Sequence, residues 1–257
     1  MDFKSLLNKD YIILDGAMGT MLQAQGLEVG GIPEVLNITE PEKLVNIHKS
    51  YINAGSDIIY ANTFGANRFK MAESGYTADE LIKAAIKNAK EAAKGTDTLV
   101  ALDIGPIGQL LEPTGTLSFD EAYDVFNEEI IAGSVADLIV FETMTDLYEV
   151  KAGILAAKEN SNKPVVVTMT FEENMRTFTG CAISSMALTL EGLGADAIGV
   201  NCSLGPKELL PIIEELSKWT NLPIVVKPNA GLPDPVTNEY NVSPQEFSSY
   251  ILDMNKY

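Results

Sequence analysis

The sequence predicts an α/β fold of the (β/α)8, or TIM-barrel, type, and three observations support this. Short apolar runs alternate with helical patterns over 257 residues, with no linker and no break in composition. Each run is apolar on both faces, as in a parallel sheet that is covered on both sides. The connections that follow the runs are long, whereas those that precede them are short. We therefore expect residues 1–257 to form one barrel domain.

The predicted elements alternate strictly along the chain. The strands are the apolar runs at 11–15, 57–62, 98–103, 137–142, 164–171, 197–201 and 223–228. The helices are the patterns at 41–55, 78–95, 118–133, 146–160, 183–194, 205–219 and 243–257, several of which begin with a capping Ser or Asp or with Pro. Since a complete barrel has eight such units, we expect the eighth strand and helix to be missing. Either the chain was cut, or another element covers the open edge.

A doubly wound open sheet is the competing fold, because it shows the same alternation. No GxGxxG or GxxxxGK[ST] motif follows a strand, so the usual nucleotide-binding loop is absent from the sequence. The long loops of the barrel are at 15–40, 103–118, 171–181 and 228–243. In a barrel they lie together at the carboxyl ends of the strands, where we expect the active site.

The charge and composition exclude several classes of partner. The chain has 18 Lys and Arg against 36 Asp and Glu, a formal charge of −18. Such a chain repels phosphate backbones and anionic membrane surfaces. No apolar run approaches the roughly 18 residues of a membrane span, and the amino terminus lacks a secretory signal pattern. We expect a cytoplasmic protein with no nucleic-acid or membrane partner.

Polar residues follow six of the predicted strands and are the candidates for the site. Each one alone is an ordinary turn residue. Together they supply carboxylates, carboxamides and a thiol at one barrel mouth, which suits a small, polar substrate that carries an amine. The groups are Asp15-Gly16-Ala17, Asn62-Thr63, Asp103, Glu142-Thr143, Asn201-Cys202-Ser203 and Asn229-Ala230-Gly231.

Cys202 is the candidate for sulfur chemistry. Its position at a strand end favours exposure and the thiolate, although a lone cysteine is more often a small buried hydrophobic residue. The one histidine, His48, lies in the middle of a predicted helix of the outer ring, which disfavours Ser–His and Cys–His catalysis. A tetrahedral soft-metal site needs three or four Cys or His ligands. The sequence contains only three such residues, Cys181, Cys202 and His48, which limits metal binding by this chain alone.

Six segments resemble, in the same order, those of the homocysteine S-methyltransferase family. The resemblance covers essentially the whole chain, and the combination of the first and fifth segments is specific. The segments are LDGAMGTMLQ (14–23), ANTFGAN (61–67), LDIGPIG (102–108), FETMTD (141–146), GVNCSLGP (199–206) and PNAGLP (228–233).

The resemblance implies a barrel that binds zinc through three cysteines, with the homocysteine sulfur as the fourth ligand. Cys202 would be the first zinc ligand and the catalytic cysteine, and Glu142 would meet the substrate ammonium. Backbone N–H groups of the turn at 15–18 would bind the carboxylate. The substrate-binding residues are then Asp15, Gly16, Ala17, Met18, Asn62, Thr63, Glu142, Asn201 and Asn229.

The sequence departs from the family pattern at its end. The other two zinc ligands of the family lie in a Gly-Gly-Cys-Cys motif on strand eight, and these 257 residues do not contain it. We expect an incomplete zinc site, for which Cys181 is a poor substitute ligand. By the resemblance, the domain is a zinc-dependent thiol methyltransferase that forms methionine, with methylcobalamin or another corrinoid on a separate domain or protein as donor.

Two other functions remain open at this point. One is a related barrel that uses a sulfonium donor such as S-methylmethionine, or that demethylates other donors for a corrinoid partner. The other is a non-catalytic binding module that has lost its metal. Zinc content separates the enzyme from the module, because the enzyme needs about one zinc per complete domain.

Overall fold

Six parallel strands form one sheet, in the order in which they occur along the chain. The structure is a computed structural model that describes residues 2–28, 30–231, 240 and 242–257. The strands are β1 (Ile58–Tyr60), β2 (Leu99–Ile104), β3 (Leu138–Met144), β4 (Val165–Met169), β5 (Ala197–Asn201) and β6 (Ile224–Lys227). All five pairings between neighbouring strands are parallel, which confirms the predicted parallel sheet.

The helices of the outer layer begin and end close to their predicted positions. They are α4 (Pro41–Asn53), α5 (Ala78–Ala93), α6 (Phe119–Ala132), α7 (Leu147–Asn160), α8 (Ile183–Gly192), α9 (Pro206–Leu216) and α10 (Pro244–Met254). Three short helices and a 3-10 turn were not predicted: α1 (Phe3–Leu6), α2 (Met18–Ala24), α3 (Leu36–Thr39) and the turn Pro33–Val35. Among the described residues, no helix has the length and apolar character of a membrane span.

The sheet curls, so that its first and last strands approach one another across an enclosed interior. The ammonium of Lys227, at the end of β6, lies 3.7 Å from the ring centroid of Tyr60, at the end of β1. These two strands are at opposite ends of the sheet order. The described strands therefore form a curled half-barrel, as expected for part of a TIM-type barrel, and closure by eight strands stays a prediction.

The strand predicted at 11–15 is reduced to a single bridge between Leu14 and Ile58. At the start of this segment, the Asp57 carboxylate accepts a 2.9 Å hydrogen bond from the Ile13 N–H. The chain still runs beside β1, and the Asp15 N–H donates to the carbonyl of Ile58 at 3.0 Å. Asp15 is thus fixed at the end of the first sheet edge.

Alternation along the strands divides the core into two layers. Ile58, Leu99 and Leu138 belong to the interior cluster, and α1 closes this cluster with Phe3 and Leu6. The intervening strand residues pack outward against the helices. Because side chains alternate with a period of two, every second residue toward the strand ends also faces the interior. This alternation decides which polar residues reach the mouth.

Candidate active site

Four charged side chains meet at the carboxyl ends of the strands, and we call them the acidic cluster: Asp15, Asp103, Glu142 and Lys227. Leu99 and Ala101 face the interior, so Asp103, two residues further along β2, faces it as well. Asp15 lies on the edge segment beside β1, Glu142 lies in β3, and Lys227 is the last residue of β6. Side-chain exposure is 3% for Asp15, 16% for Glu142 and 20% for Lys227, so Asp15 is the deepest of these three.

Lys227 is the cation of this cluster. Its Nζ lies 3.3 Å from Oε2 of Glu142 and 3.9 Å from Oδ1 of Asp15. Burial alone would lower the pKa of Lys227, but Tyr60 and the surrounding carboxylates outweigh it, so its pKa lies above the ordinary value. Lys227 was missed in the sequence analysis. A lysine at the end of an apolar strand was the available signal, since an unpaired charge is rarely placed there.

The carboxyl groups of Asp15 and Asp103 are buried without full compensation. Asp15 Oδ2 accepts a 2.8 Å hydrogen bond from the Tyr60 N–H, whereas Oδ1 has no hydrogen-bond partner among the described residues. Burial raises the pKa of Asp15 to about 7, against the opposing effect of Lys227. The pKa of Asp103 is also raised, by burial and then by Glu142, and its Oδ1 has no partner within the described ranges.

Asn201 links two strand ends beside Cys202. Its amide oxygen accepts from the Thr143 N–H at 2.9 Å, and its amide nitrogen donates to Thr143 Oγ1 at 2.7 Å and to Cys202 Sγ at 3.4 Å. Thr143 Oγ1 lies 3.8 Å from the same sulfur. Thr143 and Cys202 have φ values of 60° and 58°, which non-glycine residues seldom adopt. Such local strain is often found at functional sites.

The expectation that Cys202 is exposed enough to favour its thiolate is not met. The residue is half-buried, and burial raises the pKa of its thiol, with Glu142 acting in the same direction. The hydrogen bond with Thr143 lowers the pKa but does not compensate. The Cys202 N–H donates to the Lys227 carbonyl at 3.0 Å, so the residue is held beside the end of β6.

Asn62 and Thr63 make hydrogen bonds to the protein framework. The amide nitrogen of Asn62 donates to the carbonyl of Pro33 at 2.8 Å and to Oδ1 of Asn37 at 3.2 Å. Thr63 Oγ1 donates to the Asp103 carbonyl at 2.7 Å and accepts from its N–H at 3.1 Å. These two predicted substrate-binding residues therefore join the loop before α3 to the ends of β1 and β2.

The turn from Asp15 to Met18 passes close to α4. A Cβ atom at Gly16 would lie 2.8 Å from the Tyr51 ring, so only glycine fits there. The hydroxyl of Tyr51 donates to the carbonyl of Ala17 at 2.9 Å, and α2 begins at Met18. The turn is thus held against the mouth with its geometry fixed by a neighbouring helix.

Asn229 is the last of the predicted substrate-binding residues, and its backbone fixes the loop beyond β6. The Asn229 N–H donates to the carbonyl of Leu204 at 3.1 Å, which joins this loop to the one that carries Cys202. Leu232 and Pro233, which end the last resembling segment, lie outside the described residues.

The described residues do not make a zinc site by themselves. They contain no group of three or more His, Cys, Asp and Glu side chains that could hold a metal ion. Cys181 lies in the loop between β4 and α8, where its Sγ donates to the carbonyl of Ala182 at 3.3 Å. His48 is buried in α4, and burial lowers its pKa to about 4. Of the two cysteines, Cys202 is the one that lies beside Glu142 and Lys227.

Comparison with known proteins decides the family. The sequence profile described as homocysteine S-methyltransferase matches residues 12–256. The chain belongs to the homocysteine S-methyltransferase family. It is 32% identical over 255 residues to methionine synthase of Mycobacterium tuberculosis, which covers 90% of this chain and 21% of that protein. The chain therefore spans about a fifth of the length of this curated relative.

Solved structures show the same fold. The metallated form of the homocysteine methyltransferase MmuM from Escherichia coli superposes with a TM-score of 0.81 at 23% identity, covering 90% of this chain and 87% of that one. The oxidized form of MmuM gives a TM-score of 0.83 at 20% identity, covering 98% and 89%. At these identities the likeness concerns the fold alone.

Proposed function

We propose that residues 1–257 act as one homocysteine-binding domain of a methyltransferase that forms methionine. The observation that carries this proposal is the acidic cluster beside the Cys202 thiol. Homocysteine brings an ammonium, a carboxylate and a thiol, and the mouth offers a partner for each of them. Three carboxylates against one lysine leave the cluster formally anionic, which favours an ammonium over a second anion.

Homocysteine is the methyl acceptor, and each of its polar groups has its own partner in this proposal. The ammonium binds the acidic cluster, where Glu142 and Asp15 accept its N–H groups. The carboxylate binds the backbone N–H groups of the turn at 15–18, which include those of Gly16, Ala17 and Met18. The sulfur lies toward Cys202, and Asn229 lines the same side from the joined loop. Hydrogen bonds to charged groups contribute more than neutral ones, so these contacts fix the orientation of the acceptor.

Asn62, Thr63 and Asn201 serve as positioning residues in this proposal. The first two hold the loop and strand ends that shape the pocket floor, through the bonds described above. Asn201 holds the strained residues Thr143 and Cys202 relative to one another. Asn62 and Thr63 therefore support the framework and have little effect on affinity, whereas Asn201 acts on binding through the position of Cys202.

Zinc is part of the proposal, with Cys202 as one thiolate ligand and the remaining ligands outside the described residues. When bound, zinc deprotonates a coordinated thiol and so supplies a nucleophile at neutral pH. The raised pKa of the Cys202 thiol is consistent with a need for a cation there. The protein's own task is to orient the acceptor and to exclude water around its sulfur.

The methyl donor in this proposal is methylcobalamin or another corrinoid, carried by a separate domain or protein. The proposed site of action is the cytoplasm. The support is that the chain matches a fifth of proteins called methionine synthase, whose further length leaves room for such modules. Corrinoid-binding and methyl-donor modules are the partners that follow from this.

Calorimetry with L-homocysteine tests the proposal. Glu142→Gln should weaken binding by roughly 10- to 100-fold, because a charge-assisted hydrogen bond of about 1.5–3 kcal/mol is lost. Glu173→Gln, an exposed position in the loop after β4, is the control and should bind as wild type does. If Glu142→Gln and Asp15→Asn both bind homocysteine as tightly as wild type, the assignment of the ammonium to this cluster is wrong.

A further inference from the structure

The proposed function assigns the ammonium to Glu142 and Asp15, and it gives no role to Asp103, the remaining carboxyl group of the cluster. Glu142 is engaged already, since the Lys227 ammonium lies 3.3 Å from its Oε2. An incoming ammonium at Glu142 alone would have to displace or share that lysine. The two deeper carboxyl groups, those of Asp15 and Asp103, are engaged to a lesser extent.

Two buried carboxylate oxygens in the cluster have no hydrogen-bond partner among the described residues. Oδ1 of Asp15 and Oδ1 of Asp103 form no hydrogen bond within the described part of the chain, although the residues are only 7% and 6% exposed. Leaving a buried carboxylate oxygen unpaired is costly, so a site with two such oxygens favours a ligand with N–H donors. The Thr168 hydroxyl, two residues beyond the interior Val166 on β4, is a third such group.

Lys227 sets the net charge of this site. Asp15, Asp103 and Glu142 carry three formal negative charges, and Lys227 carries one positive charge, so the sum is −2 when all are ionised. The Tyr60 ring that supports the lysine at 3.7 Å forms the floor beneath it. One further ammonium reduces the charge imbalance, whereas a carboxylate would increase it.

Resting on the proposed function, we propose that Asp103 joins Asp15 and Glu142 in binding the ammonium of homocysteine, and that Lys227 determines how strongly the site selects an amino-acid thiol. Lys227 does so by neutralising part of the cluster. Asp103 touches the substrate in this arrangement, and Lys227 is a specificity-determining residue.

The experiment compares two ligands that differ in the ammonium alone. L-Homocysteine and 4-mercaptobutanoate share the thiol and the carboxylate, so the ratio of their Kd values isolates recognition of the ammonium. Calorimetry gives this ratio for wild type and for the variants Asp103→Asn and Lys227→Met. Asp124→Asn is the control, because Asp124 lies on the exposed side of α6.

We expect wild type to prefer homocysteine and Asp103→Asn to lose about tenfold of that preference, with little change for 4-mercaptobutanoate. Lys227→Met should increase the preference by about fivefold or more, since the incoming ammonium becomes the sole cation among the described members of the cluster. Asp124→Asn should match wild type. If Asp103→Asn does not fold, Lys227→Met still decides, because an unchanged or reduced preference in that variant overturns the proposal.

Failure of this inference can be told apart from failure of the proposed function. If Asp103→Asn keeps the full preference while Glu142→Gln loses it, the ammonium binds Glu142 and the inference is wrong, but the proposed function stands. If wild type binds both thiols equally, the cluster does not recognise an ammonium, and the inference also fails. If wild type binds neither thiol, both are overturned.

Discussion

Two buried polar networks lie within a few residues of one another in this barrel, and they differ in how well their hydrogen bonds are satisfied. The asparagine network, formed by Asn37, Asn62 and Asn88, has its amide nitrogens bonded at 2.8–3.2 Å to carbonyl and amide oxygens of the framework. The acidic cluster has two buried carboxylate oxygens without a partner in the described residues.

The difference indicates what each network does. A satisfied network stabilises the fold, because every buried donor exchanges water for a protein acceptor. An unsatisfied cluster costs stability when the site is empty and recovers that cost when a complementary ligand binds. The asparagine network therefore holds the loop before α3 to the barrel, and the acidic cluster is where a ligand is expected.

The largest effect is expected from breaking the asparagine network at its centre. Asn37→Ala should lower the free energy of unfolding by about 3 kcal/mol, because two hydrogen bonds are lost and the Asn62 carbonyl is left buried and unpaired. Urea denaturation measures this. Asn46→Ala, an exposed asparagine of α4, is the control and should change stability by less than about 0.5 kcal/mol.

His48 provides a third case, a buried polar group in the helix layer whose ring nitrogens have no partner among the described residues. Burial lowers its pKa from 6.5 to about 4, so between these values the unfolded chain binds a proton that the folded chain does not. Stability due to this group is therefore full above about pH 6.5 and falls by up to about 3 kcal/mol toward pH 4.

His48→Met should remove this contribution, so that stability falls less from pH 6.5 to pH 4.5 than in wild type. Thermal unfolding at both pH values measures the difference, and the raised pKa values of Asp15 and Glu149 act in the opposite sense in both proteins. Equal slopes for the two proteins would show that His48 does not titrate below its ordinary range.

A smaller effect of opposite sign is expected from the acidic cluster. Asp103→Asn should raise the free energy of unfolding by about 1 kcal/mol, because burial and Glu142 both disfavour a negative charge at this position and the amide carries none. Denaturant unfolding measures it, with Asp124→Asn as the exposed control. A clear loss of stability would indicate that Asp103 belongs to the framework rather than to a ligand site.

The smallest effect concerns the contact of Thr143 with the Cys202 sulfur. In a Cys181→Ser background, Thr143→Val should slow alkylation of Cys202 by iodoacetamide about threefold at pH 8, because a donor that stabilises the thiolate is lost. Thr143→Ser keeps the hydroxyl and should react as the parent protein does. Equal rates for the Val and Ser variants would exclude this role of the hydroxyl.

The sequence was sufficient to predict the alternating elements and the place where the site forms. Apolar runs bounded by turns are strong local signals, and parallel strands bring their carboxyl ends together whatever the loops do. The reduction of the first strand to the Leu14 bridge was not predictable from the apolar run at 11–15, because it depends on how that run pairs with β1 in the folded sheet.

The roles of individual polar residues could not be read from the sequence in the same way. Asn62 and Asp103 both follow a strand, yet the amide nitrogen of Asn62 is satisfied by Pro33 and Asn37, more than twenty residues away. Lys227 looked like an ordinary strand residue until the curl of the sheet placed it over Tyr60. Whether a buried polar group finds a hydrogen-bond partner depends on the tertiary structure. In this protein, that property distinguishes the residues of the framework from those of the candidate site.

The most direct test measures stability and homocysteine affinity together for one residue of each network. Asn62→Ala should lower the free energy of unfolding by about 2–3 kcal/mol while the Kd for L-homocysteine, measured well below the unfolding temperature, stays within about threefold of wild type. Asp15→Asn should unfold within about 1 kcal/mol of wild type yet bind homocysteine about tenfold more weakly. The reverse pattern, with Asn62→Ala weakening binding and Asp15→Asn lowering only stability, would contradict the division into framework and ligand site.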